Sequence, residues 1–185
     1  MLNNVSTRLM SGGHAFSNSD IDTIKSAGRD AVVEFVTHKT LLRPEAGFDV
    51  ANPKDDLEAA GYVVAENEVV LCSAVQCGRV AVMAVSAKCV EAISALGIKV
   101  RYTSPLLSDD DITEGSHISL YDDVLYVRVY KSGLRFAEAM VVENDADLLF
   151  YLESINRVYG IYNMYARAIG DVERLNRAKC FKTKF

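Results

Sequence analysis

Two short turns hold the residues of this 185-residue chain whose types could serve phosphate and metal chemistry. The first is Gly12-Gly13, inside Arg8-Leu9-Met10-Ser11-Gly12-Gly13-His14. The second is Asp122-Asp123, inside Tyr121-Asp122-Asp123-Val124. Glycines in a hairpin let backbone N–H groups approach a phosphate, and an aspartate can hold the accompanying cation. Gly12 and Gly13 come without the aspartate, and Asp122 and Asp123 come without the glycine. Neither turn carries the full set. The need for positive φ in a tight turn accounts for Gly-Gly by itself. The pair therefore reads as a degenerate nucleotide site. The alternative is a divergent phosphate site in which both turns face one cleft.

Other groupings are weaker. Asp109, Asp110, Asp111 and Glu114 form an acidic run, but their spacing is not that of a calcium loop, and a solvated connection explains them. His14, His38 and His117 are far apart and accompany no nucleophile motif. Cys72, Cys77, Cys89 and Cys180 fit no zinc spacing and read as reduced thiols. Tyr126, Arg128 and Tyr130 alternate along one strand. Tyrosine with arginine on an exposed face is a composition that protein interfaces favour. The tail Arg174, Arg177, Lys179, Lys182 and Lys184 reads as cations suited to a helix end and a frayed terminus. No metal or cofactor is expected.

The bulk numbers narrow the classes. A net charge of −5 argues against general affinity for nucleic acid. Half the residues are hydrophobic, enough for a real core. No apolar run reaches the length of a membrane span, and MLNNVSTRLM lacks a leader pattern. The expectation is a cytoplasmic protein that touches neither nucleic acid nor membrane.

These residues are positioned by a unit running from Ser116 to Gly160. Three period-two strands are joined by Asp122-Asp123 and Ser132-Gly133. The alternation predicts one packed face (Leu125, Val127, Val129) and one partly wet face (Tyr126, Arg128, Tyr130). A helix follows, capped at Asn144 or Asp145 and stopped by Gly160. Ile161 to Ile169 reads as a fourth strand, and Asp171 opens a last helix.

Upstream, strands are predicted at Val5–Met10, His14–Ser17, 31–37, 41–44, 68–75, 79–85 and 98–102. A helix with Pro53 in its first turn ends at Gly61, and a second helix, capped by Ser86, ends at Gly97. The first subdomain spans 1–107, an acidic connection 108–115, and the second subdomain 116–185. Both halves open with strands followed by helix, strand and helix. That order predicts an α/β fold: mixed β-sheets with flanking helices, two ribonuclease-H-like subdomains in an actin-like arrangement, the second abbreviated.

Several stretches carry a resemblance: the opening Ser6-Thr-Arg-Leu-Met-Ser-Gly-Gly-His-Ala-Phe-Ser17; HKTLLRPEAGFD before the first helix; AVMAVS and VRYTSPLL around the second; and ISLYDDVLYVRVYKSGLRFAEAMVVENDADLLFYLESI. Together they resemble an uncharacterised bacterial family, a domain of unknown function with a duplicated actin-like ATPase fold. The resemblance covers most of the chain and implies a fold. It brings no catalytic residues. The sequence thus favours a non-catalytic binding or assembly protein with a protein partner or self-association, Tyr126, Arg128 and Tyr130 serving as its interface. The alternative is a divergent ATPase or small-molecule kinase using Gly12, Gly13, Asp122 and Asp123.

Overall fold

The computed structural model describes residues 5–10, 22, 24, 25, 30–107 and 114–178. It divides into two compact units, 1–107 and 108–185. The chain is mixed α/β with several sheets and flanking helices.

In the first unit, β1 (Val5–Met10), β2 (Asp30–Val36) and β6 (Lys99–Thr103) form a parallel sheet in the order β1-β2-β6. The β2 run Ala-Val-Val-Glu-Phe-Val suits a parallel strand with its faces covered. A second sheet is antiparallel: β3 (Thr40–Pro44), β5 (Arg79–Ser86) and β4 (Glu68–Cys72), in the order β3-β5-β4. Central β5 is buried from Val80 to Val85. Its Ala81, Met83 and Val85 share a core with Ala31, Val33 and Phe35 of β2 and with Cys89 and Ile93 of α2 (Ala87–Ser94). Its Val82 and Ala84 face the other way, onto Leu57 of α1 (Pro53–Ala59). One strand therefore belongs to two cores, as its unbroken apolar sequence requires. The first unit's described strands form two sheets. The predicted strand His14–Ser17 lies outside the described residues.

The second unit has one sheet. β7 (Glu114–Tyr121), β8 (Val124–Lys131) and β9 (Leu134–Val141) are antiparallel neighbours, and β10 (Ala166–Gly170) joins β7 in parallel. The order is β10-β7-β8-β9. The two-residue turn Asp122-Asp123 sets the register Tyr121↔Val124, and hence His117↔Arg128. Asp122 has φ 50°, a left-handed conformation that aspartate tolerates better than most residues. One sheet face, Ile118, Leu120, Leu125, Val127 and Val129, packs on Leu148, Leu152 and Ile155 of α3 (Asp145–Tyr159). Leu175 of α4 (Val172–Arg177) completes that core.

Local signals explain α3. Asn144 Oδ1 accepts from the N–H groups of Ala146 and Asp147, and Asp147 Oδ2 accepts from the N–H of Asn144, a reciprocal capping box. Gly160 ends the helix at φ 69°. Two expectations are corrected here. Residues Ile161–Asn163 form a short 3-10 turn, and the strand begins only at Ala166. Ser86 does occupy the N-cap position of α2, at φ −58°, ψ 124°, but its side chain makes no capping hydrogen bond. Gly170 closes β10 at φ 81°, where a β-carbon would overlap the Leu120 carbonyl oxygen. The same carbonyl accepts from the Asp171 N–H at 2.8 Å.

Candidate functional site

The Asp122-Asp123 turn is engaged through its backbone. The Asp123 carbonyl accepts from the Val142 N–H at 2.7 Å. Arg174 of α4, with 16% of its side chain exposed, donates from Nη1 to the Asp122 carbonyl (3.4 Å) and from Nε to Asp145 Oδ1 (2.6 Å). One guanidinium thus links the turn, the first residue of α3 and the last helix. Asp171 Oδ1 accepts from the Arg174 N–H at 2.9 Å and holds that residue in place. Among the described residues, no group of three or more His, Cys, Asp or Glu side chains could hold a metal ion. Gly12, Gly13 and His14 lie outside the described residues, as do Asp109, Asp110 and Asp111.

The second sheet face carries a polar and aromatic cluster. Arg128 Nη2 lies 2.9 Å from His117 Nδ1, and Arg128 Nη1 donates to the Tyr130 hydroxyl at 3.3 Å. The His117 and Tyr130 rings meet edge-on, with centroids 5.8 Å apart. A guanidinium can only donate, so Nδ1 must be the acceptor. His117 is therefore the neutral tautomer with its proton on Nε2, and its basic lone pair is committed to Arg128. This arrangement supports structure better than proton transfer.

The expectation that Tyr126, Arg128 and Tyr130 form a wet strand face is corrected. Tyr126 is 1% exposed and Arg128 2% exposed, and only Tyr130 is half-buried. Sequence reasoning also missed His117 as the partner of Arg128. Counting back from a two-residue turn at Asp122-Asp123 places 117 opposite 128, so that signal was present. Arg174 had no such signal, since it stands 52 residues from Asp122.

The described cysteines belong to no metal-holding group. Cys89 is buried, Cys77 is exposed at a hairpin turn, and Cys72 is half-buried on β4. Burial, and then the nearby Asp56 charge, pushes the Cys72 thiol up, away from the thiolate form. Cys180 lies outside the described residues. No described helix is long and apolar enough to cross a membrane.

Neither a protein-family model nor a curated protein matches the chain. Solved structures do. One is a Bacteroides thetaiotaomicron protein with an actin-like ATPase fold and unknown function: 12% identity, TM-score 0.65, covering 88% of this chain and 72% of that one. Another is the cytoplasmic domain of EpsL, an inner membrane component of the type II secretion system of Vibrio cholerae. It shares 14% identity at TM-score 0.51, covering 97% of this chain and 95% of that one. At such identities the likeness shows the fold alone: the chain has an actin-like ATPase fold.

Proposed function

We propose that this chain is a non-catalytic binding or assembly protein, an actin-like body with a degenerate nucleotide site and a protein as its partner. The observation that carries this reading is the use made of the Asp122-Asp123 turn. Its carbonyls serve Val142 and Arg174, and Arg174 is itself paired with Asp145. The turn is thus tied into the fold by the Val142 N–H and the Arg174 guanidinium, a structural use of the stretch that a nucleotide site would need. The EpsL domain, a component of a secretion assembly, supports the same direction. The order β10-β7-β8-β9, three antiparallel strands with a fourth parallel to the first, supports reading 116–185 as a ribonuclease-H-like subdomain. A cytoplasmic setting in a bacterium belongs to the same proposal.

Thermal unfolding with and without millimolar Mg²⁺-ATP tests it. A ligand at a hundred times its dissociation constant stabilises by about 2.7 kcal/mol, several degrees for a chain of this size. No shift is expected. A clear upward shift that Asp122→Asn abolishes would overturn the reading in favour of a divergent ATPase or kinase.

A further inference from the structure

We propose that the outer edge of β9 docks one extended segment of a partner protein, a segment that carries a lysine or arginine between two apolar residues at alternate positions. Among the described residues, β9 pairs with β8 on one side and with no strand on the other. The Val142 N–H bonds to the Asp123 carbonyl, next to the pair Val124↔Val141. Backbone direction alternates along an antiparallel ladder, so Val141, Ala139 and Ala137 turn their N–H and C=O groups away from β8. Such a row is matched in register by another extended chain. The side chains along the same edge say which one. Met140, Glu138 and Phe136 lie opposite Leu125, Val127 and Val129, so they share the face that packs on α3. Phe136 and Met140 are only partly buried, with Tyr151 and Tyr159 of α3 in the same cluster, and the Phe136 and Tyr159 rings lie 5.3 Å apart. The core therefore reaches the edge of the sheet incompletely covered.

Charge decides the occupant. Glu138 is exposed and stands between Phe136 and Met140 on that face. A strand added antiparallel sets one side chain opposite each of the three, at non-hydrogen-bonded positions where opposing side chains are closest. Apolar residues opposite Phe136 and Met140 extend the core, and a cation opposite Glu138 pairs with it. A second copy of β9 does not fit. With the outward groups of Ala137, Ala139 and Val141 in register, its Glu138 falls opposite Glu138 itself or opposite Leu134, Phe136 or Met140. A charge on the covered face of an edge strand guards against such pairing. Here it also selects the strand that does pair.

The inference rests on the assembly reading and names the chemistry of its partner. The two fail separately, since nucleotide binding tests the one and strand addition the other. The experiment is an amide NMR titration of the ¹⁵N-labelled full chain with a pair of blocked peptides, Thr-Val-Thr-Lys-Thr-Val-Thr and the same peptide with Glu in place of Lys. The first is expected to shift the amides of Ala137, Ala139 and Val141 and to saturate with a Kd on the order of 1 mM, as a single short strand should. The second is expected to bind roughly fivefold more weakly. Glu138→Lys, at an exposed position, is expected to reverse that order. No shift along β9 up to about 10 mM of the first peptide overturns the proposal. So does binding that ignores the charge of the peptide. Shifts of the same amides on dilution without peptide would mean that a second copy pairs there, and overturn it too. The comparison of the two peptides on the wild type keeps the test valid should Glu138→Lys fail to fold.

Discussion

Arg128 of β8 and His117 of β7 face each other across the ladder, joined by a 2.9 Å hydrogen bond between two side chains that are 2% and 1% exposed. A buried hydrogen bond to a charged group contributes about 1.5–3 kcal/mol. His117→Leu keeps the volume and removes the acceptor. It is expected to lower unfolding free energy by about that amount, read from urea denaturation at neutral pH. Imidazole ¹⁵N spectra of the wild type should show the Nε2-protonated tautomer. A protonated Nδ1 would contradict the bond.

Gly170 is a second pressure point. Its φ of 81° and the Leu120 carbonyl leave no room for a side chain. Gly170→Ala should destabilise by about 3 kcal/mol or more, well beyond the usual cost of losing a flexible glycine. A change below 1 kcal/mol (roughly the propensity difference alone) would mean that β10 ends differently.

The helix cap gives a smaller, cleaner effect. Asn144→Ala removes the acceptor for two backbone N–H groups. It should cost about 1 kcal/mol with the unfolding slope unchanged, while Asn144→Ser should be nearly neutral.

The Lys39–Glu68 pair predicts a pH effect. Burial alone pushes Glu68 up. The hydrogen bond from Lys39, the N–H of Ala65 and the charges of Lys39 and His38 outweigh it, so the group lies below its ordinary value of 4.5. A carboxyl lowered on folding adds stability above its ordinary value and loses it as pH falls through the folded value. Glu68→Gln should therefore be less stable than the wild type at pH 7, and the gap should close in acid. The check is urea midpoints measured from about pH 7 down to about pH 3. A gap that is constant with pH would rule out the ion pair as its source.

What could be read from the sequence follows from what is local. The turns at Asp122-Asp123 and Ser132-Gly133, the period-two strands between them and the Asn144 cap depend on neighbouring residues, and the actin-like fold was expected from their order. The burial of Tyr126 and Arg128 depends on what covers the face, which no neighbouring residue reveals, so polarity suggested water. The 3-10 turn at Ile161–Asn163 was hidden because IYNMYARAI is apolar enough to pass for one strand. Arg174 reaches Asp122 and Asp145 only because α4 returns to the sheet after β10.

The contact at Gly170 also bears on how freely the sequence can vary. Two solved structures with which this chain shares its fold are only 12% and 14% identical to it. A position that admits no β-carbon resists drift when the residues around it do not. A glycine closing the strand parallel to β7, followed by a helix-capping acid such as Asp171, is thus a two-letter fingerprint with a steric cause. Its presence at that place in the topology of other chains with this fold is a simple check on whether they end the strand under the same steric limit.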